Sequence, residues 1–256
     1  MHCKTDLTDV TFIIPVRLDS VDRLENILAI TQYLCSNFET NIWVSEYASY
    51  NNCILKKLLH KKIQYTFTED QDPVLYRTRF LNQMIRVIDK EFVAVWDTDV
   101  IIQKNQILKA VELLRSGSAD FVYPYENLFF DTSPIMRKLY LQKRRIEILE
   151  LNATKMKALY QPNPVGGAFI ANMNSYKAAG LENENFYGWG PEDHERFHRW
   201  ENKGFKIKRV QGPLFHLSHT RGVNSTYRNT DQLRLNRKEI SDIRRKKNID
   251  SSYSTE

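Results

Sequence analysis

The sequence predicts an α/β fold with a mostly parallel central sheet flanked by helices. Three observations carry this expectation. Apolar runs such as Val10-Thr11-Phe12-Ile13-Ile14-Pro15-Val16 and Glu91-Phe92-Val93-Ala94-Val95-Trp96 are continuous rather than alternating, as in strands covered on both faces. Segments of helical periodicity lie between such runs, and strand–helix alternation is the pattern of a doubly wound sheet. At 256 residues the chain is long enough to bury a full core of that kind.

Taken in order, the first strand ends near Pro15, which lacks a ladder donor, and Arg17 follows at its exit. Asp19-Ser20 can cap a helix over 21–35 with Leu24, Ile27, Leu28, Thr31 and Leu34 on one face. Strands are expected over 41–45 and 63–67, with a short helix over 52–60 between them. The next helix opens at Leu75 and runs to about Asp89, with Arg77 and Arg79 near its start. Cations there oppose the helix dipole, so they mark either an external anion or two surface arginines. After the strand over 91–96 come a helix over 103–115, closed by Ser116-Gly117-Ser118, and a strand over 119–124. Residues 134–160 are basic, carry Leu, Ile and Met, and read as one long helix. A turn at Asn163-Pro164-Val165-Gly166-Gly167 leads into a strand over 168–172, and Gly180 stops a short helix over 174–179. Pro191 suits the first turn of a further helix. A strand over 205–210 precedes a basic helix over 228–247 and a polar tail.

The net charge is +6, concentrated in 137–157 and 228–247. Such a balance fits anionic substrates, nucleic acid or an anionic membrane face. No recognition-helix or zinc-finger spacing accompanies it, so nucleic acid is not an expected partner. Cys3, Cys35 and Cys53 are odd in number and lack metal-type spacing, which suits free thiols in a reducing compartment. The first residues carry no apolar signal-peptide core, and no run of about 18 apolar residues is present. The expected location is therefore cytoplasmic, with peripheral contact between the basic stretches and an anionic inner membrane face as an option.

Four stretches carry chemistry. Asp97-Thr98-Asp99 closes a buried strand, at the carboxyl edge where α/β sheets bind ligands, and two carboxylates at i and i+2 suit a divalent cation or a simple turn. Gly166-Gly167 lets backbone approach a ligand closely, or serves only as a turn. Gly188-Trp189-Gly190-Pro191-Glu192-Asp193 sets an aromatic plate beside two carboxylates at a helix start. Sugar rings pack on such plates, and a carboxylate can take a hydroxyl proton. His216 and His219, at i and i+3, can complete a mixed oxygen–nitrogen cation site with the aspartates.

In order and type, these residues resemble inverting, metal-dependent nucleotide-sugar glycosyltransferases of the GT-A fold. The likeness to β-1,4-galactosyltransferases and chondroitin-polymerase-type catalytic domains runs from Thr11 to His219. Ile13-Ile14-Pro15-Val16-Arg17 looks like the first strand, whose Pro and Arg meet uridine diphosphate. Tyr76-Arg77-Thr78-Arg79-Phe80-Leu81-Asn82 resembles the donor helix, Asp97-Thr98-Asp99 the Asp-x-Asp, Val165-Gly166-Gly167 the loop beside donor sugar and acceptor, and Gly188 to Asp193 the Trp-Gly-x-Glu-Asp motif. The resemblance implies a catalytic domain over 1–222, followed by a basic helix and tail over 223–256. It implies Mn²⁺, with Mg²⁺ as an alternative, held by Asp99, His216 and His219. Asp97 would act through ribose or metal-bound water. Pro15, Arg17, Arg77 and Arg79 would hold the nucleotide, Gly166, Gly167, Trp189 and Glu192 the sugars, and Asp193 would be the base. His216 stands where the animal enzymes carry a methionine ligand, and His194 where they continue the acidic run. The implied reaction moves a hexose or N-acetylhexosamine, galactose-type favoured, from a UDP-sugar to an oligosaccharide or glycolipid acceptor in bacterial surface polysaccharide synthesis. A retaining transferase on the same fold is the alternative, and a basic nucleic-acid-binding protein ranks below it.

Overall fold

The structure is a computed structural model that describes residues 4–225 and 230–253, with side chains through Ile243. Cys3, the start of the basic helix expected over 228–247 and the last residues of the tail lie outside the described residues. In chain order the first half contains β1 (Thr5–Val16), α1 (Val21–Asn37), β2 (Phe38–Ala48), α2 (Ile54–Leu58), β3 (Gln64–Glu69), α3 (Arg77–Ile85), β4 (Phe92–Trp96), β5 (Val100–Ile102), α4 (Lys104–Arg115) and β6 (Phe121–Tyr123). The second half contains β7 (Phe129–Asp131), α5 (Pro134–Lys143), α6 (Glu147–Leu151), β8 (Lys157–Ala158), β9 (Ala168–Asn172), α7 (Met173–Ala179), α8 (Glu192–Asn202), β10 (Ile207–Arg209), β11 (Leu214–His216) and α9 (Thr230–Tyr253).

Seven strands form the main sheet in the order β10-β6-β9-β4-β1-β2-β3. All pairings are parallel except those of β9, which runs antiparallel to both β4 and β6. β1 and β4 are central, and their apolar side chains are essentially fully buried, which is why both read as unbroken apolar runs. Ser20 caps α1 by accepting from the Arg23 amide, as its position before the periodic stretch predicts.

A second sheet, β5-β11-β7-β8, was not foreseen. Its strands have two or three residues each, too short for a period-2 pattern to declare itself. This sheet also corrects the long helix expected over 134–160. α5 ends at Arg144, which takes a left-handed conformation with φ 52°, and after α6 the chain extends so that Lys157 and Ala158 pair with β7. Strand pairing at that end overrides a helical local pattern.

Arg137 of α5 is buried and ties the flank to the sheet edge. Its Nε donates to Asn26 Oδ1 at 2.9 Å, and its Nη2 donates to the Asp22 carbonyl at 2.9 Å and to Glu25 Oε2 at 2.8 Å. Asn26, with no exposed surface, in turn donates to the Leu217 carbonyl at 2.9 Å, just past β11. Arg137→Met keeps the apolar stem and strands Asn26 Oδ1 in the interior. The expected loss is about 2–4 kcal/mol in a urea titration. An unchanged midpoint would show that this network does not hold α5 in place.

Candidate active site

Two antiparallel ladders assemble the site around the turn Asp97-Thr98-Asp99. The β4–β9 ladder pairs Trp96 with Ala168, and the Asp97 amide extends it by donating to the Gly167 carbonyl at 2.9 Å. This places the Gly-Gly loop beside Asp97. The β5–β11 ladder pairs Val100 with His216, and the Leu217 amide extends it to the Asp99 carbonyl at 2.7 Å. This brings both histidines to Asp99. The buried Trp96 indole closes the turn by donating to the Val100 carbonyl at 3.0 Å.

His219 Nε2 lies 3.3 Å from Asp99 Oδ2, and His216 Nε2 lies 3.6 Å from Asp99 Oδ1. One ligand atom from each of the three fits within a span of 4.8 Å. Each ring is oriented by its other nitrogen: His216 Nδ1 meets Asp131 Oδ1 at 2.8 Å, and His219 Nδ1 meets the Thr220 carbonyl at 2.9 Å. Both Nε2 atoms therefore face Asp99. Metal-binding histidines are oriented in this way by outer-shell acceptors, and one carboxylate with two imidazoles suits a first-row divalent cation. Burial disfavours a charged His216, but Asp99 and Asp131 outweigh it and raise its pKa. The donor set and the charge balance of this corner both suit a positive ion.

A cavity of about 350 Å³ opens over these groups. Pro15, Arg17, Arg77, Asp97, Asp99, Gly166, Gly167, Trp189, Glu192, Asp193, His216 and His219 all border it, so residues from six separate stretches converge as the sequence predicts. Arg79 does not. It begins two positions after Arg77 on α3, about 200° further round the helix, and is exposed. Of the arginines that border the cavity, Arg17 and Arg77 are already engaged. Arg17 Nη2 meets Asp70 Oδ2 at 2.5 Å, and Arg77 Nη2 meets Asp97 Oδ1 at 2.7 Å. Trp189 is half-buried as a wall of the cavity rather than an exposed plate.

The two adjacent carboxylates at the start of α8 have different surroundings. Asp193 Oδ1 accepts from Arg196 Nη2 at 2.5 Å, and Arg196, one turn on, is 1% exposed. Arg196 also meets the equally buried Glu182 at 3.0 Å and stacks over Phe169 at 4.4 Å. The other oxygen, Asp193 Oδ2, sits against Gly166. A Cβ at residue 166 would stand 2.7 Å from it, so a side chain there would push the carboxylate from this position. Glu192 is buried and forms no ion pair among the described residues. Burial, and then the charge of Asp193, push its pKa up to about 8. One carboxylate is thus held by an arginine while its neighbour keeps its proton at neutral pH. Such divergent environments are how one site assigns different roles to two carboxyls.

Sequence reasoning missed Arg23, Asp131 and Arg196. Arg23 Nη1 donates to Thr98 at 3.2 Å and lies 3.8 Å from Asp99. Arg196 was within reach, since i+3 on the same helix faces Asp193. Asp131 carries no local signal, because only the β7–β11 register sets it opposite His216.

Comparison with known proteins is consistent with this geometry. Residues 148–222 match a family described as the N-terminal domain of galactosyltransferase. No curated protein matches. Drosophila β1,4-galactosyltransferase 7, solved with xylobiose, superposes with a TM-score of 0.58 at 16% identity, over 92% of this chain and 80% of that one. A substituted form of that enzyme, solved with manganese, UDP-Gal and xylobiose, gives 0.56 at 13% identity over 90% and 79%. Glucosyl-3-phosphoglycerate synthase from Mycobacterium tuberculosis, solved with Mn²⁺, UDP and phosphoglyceric acid, gives 0.52 at 14% identity over 93% and 78%. Among the described residues no helix is long and apolar enough to cross a membrane. The matched segment holds the Gly-Gly loop, the Trp-Gly-Pro-Glu-Asp helix start and both histidines, and the scaffold around it has the GT-A fold of these glycosyltransferases.

Proposed function

We propose that the chain transfers a galactose-type hexose from a UDP-sugar to a saccharide hydroxyl, with inversion at the anomeric carbon and dependence on Mn²⁺. The observation that carries this is the meeting of Asp99, His216 and His219 with Asp193 around one cavity. The Drosophila complex with manganese, UDP-Gal and xylobiose supports UDP-galactose and a short β-linked oligosaccharide as the first pair to try.

Asp99, His216 and His219 would hold the cation, which supplies Lewis-acid stabilisation of the diphosphate leaving group. Arg17 and Arg77 line the same wall and would meet the nucleotide once their carboxylate partners yield to it. Asp193 would take the proton of the acceptor hydroxyl. The acceptor oxygen then bonds to the anomeric carbon as the bond to UDP breaks and its electron pair leaves on the phosphate. With Oδ1 on Arg196, Oδ2 beside Gly166 would be the oxygen to receive that proton. Glu192, protonated at neutral pH, would donate to a sugar hydroxyl, and Trp189 would pack on a ring face.

General-base catalysis is worth about 10²–10⁴-fold. Asp193→Asn should therefore lose transfer by that factor while Mn²⁺-dependent UDP binding, measured by calorimetry, persists. The wild type should lose both under chelation. Proton NMR of the product should show the anomer opposite to that of the donor. Undiminished turnover in Asp193→Asn would remove the base assignment, and a product of retained configuration would remove inversion.

The raised carboxyl of Glu192 sets a pH dependence. Its donated hydrogen bond is present below about 8 and is lost as pH rises through that value. The sugar KM should climb across this range in the wild type and stay flat in Glu192→Gln, which keeps a donor at every pH. The same shift makes the folded state less stable as pH rises from the ordinary 4.5 toward 8. Identical KM profiles for the two proteins would exclude a protonated Glu192.

A further inference from the structure

The C-terminal helix carries an observation that the reaction scheme leaves unused. Its apolar residues do not all dock it, since Leu235 is 62% exposed. Its hydrogen-bonded and closest contacts fall at positions 232, 236, 239 and 243, spaced by four, three and four, which is one face of a helix. Gln232 Nε2 donates to the Tyr187 carbonyl at 2.6 Å and to the Trp189 carbonyl at 3.0 Å. Asn236 is 2% exposed and lies against Gly190, where an added Cβ would stand 2.3 Å from its Nδ2. Glu239 accepts from Asn183 at 3.0 Å and Asn185 at 3.2 Å, and Asn202 donates to the Ile243 carbonyl at 2.9 Å.

The opposite side of the same loop is also held. The Tyr187 hydroxyl donates to Asp72 at 2.5 Å, and its ring packs edge-on against Tyr76 at 5.3 Å. Gly188 takes φ +73°, and a Cβ there would come within 2.9 Å of Val74. Residues 187–190 are thus gripped between the segment before α3 and one face of α9. Trp189 and Glu192, which border the cavity, are presented from that grip.

We propose that Gln232 and Asn236 are positioning residues, and that α9 is the backstop that fixes the Trp189 loop against the sugar-binding part of the cavity. The proposal rests on the transferase reading for its kinetic consequence, though not for its structural one. Gln232→Met keeps length and helix propensity but removes the donor, whereas Gln232→Lys restores a group that donates to both carbonyls.

The experiment compares the full-length wild type with both variants by hydrogen exchange, kinetics and calorimetry. In Gln232→Met, the amides of residues 187–190 should exchange about fivefold or more faster, while those of β1 and β4 stay unchanged. Acceptor KM should rise about tenfold, with UDP affinity in the presence of Mn²⁺ within a factor of two of wild type. Gln232→Lys should recover most of both effects. Unchanged exchange at 187–190 in Gln232→Met would overturn the proposal, as would a Lys variant no better than Met, or an equal loss of UDP affinity. A loop that responds in exchange, in a wild-type protein that binds no UDP with Mn²⁺, would sink the transferase reading and leave the backstop standing.

Discussion

Antiparallel pairing on both flanks of a three-residue turn is the constraint on which this site depends. Asp97 is fastened to Gly167 as the β4–β9 ladder runs out, and Asp99 to Leu217 as the β5–β11 ladder runs out. Backbone hydrogen bonds, rather than side-chain contacts, thereby bring groups more than a hundred residues apart into one cavity. The histidines face Asp99 because β11 has this register. A slip of one residue would turn His216 to the other face of its strand.

Charge is distributed around that frame with little slack. Glu182, Arg196 and Asp193 form a chain from the interior to the cavity rim, with Tyr176 donating to Glu182 at its inner end. A buried charge needs partners, and here the partners run outward until the last carboxylate touches the cavity. Glu192 has no such chain, and keeping its proton is the cheaper arrangement. Adjacent residues thereby acquire an accepting and a donating carboxyl. At the Asp99 corner the arrangement is reversed: Asp99 and Asp131 surround two imidazoles, and the balance favours a cation.

What could be read from the chain follows the length of its elements. β4 and α1 are buried and bounded by recognisable residues, so their positions were legible within about two residues, whereas β1 was legible from Val10 on and its more polar start at Thr5 was not. The clustered motifs were legible because each combines unusual residue types at a fixed spacing, as in Gly188 to Asp193. The second sheet was not, since strands of two or three residues have no periodicity to display. With it went Asp131, visible only through the β7–β11 register. Arg79 was misplaced because two residues on a helix face away from each other. The role of α9 was hidden for a further reason: the eye is drawn to its apolar residues, but the Trp189 loop is met by the polar Gln232 and Asn236.

The central claim is that Asp99, His216 and His219 together hold the cation that meets the diphosphate. Diffraction at the manganese absorption edge, from crystals grown with Mn²⁺ and UDP, tests it most directly. The account predicts one anomalous peak in bonding contact with an Asp99 oxygen, with Nε2 of both histidines and with the diphosphate. Manganese seated elsewhere in the cavity, with either imidazole turned away from it, would contradict the account.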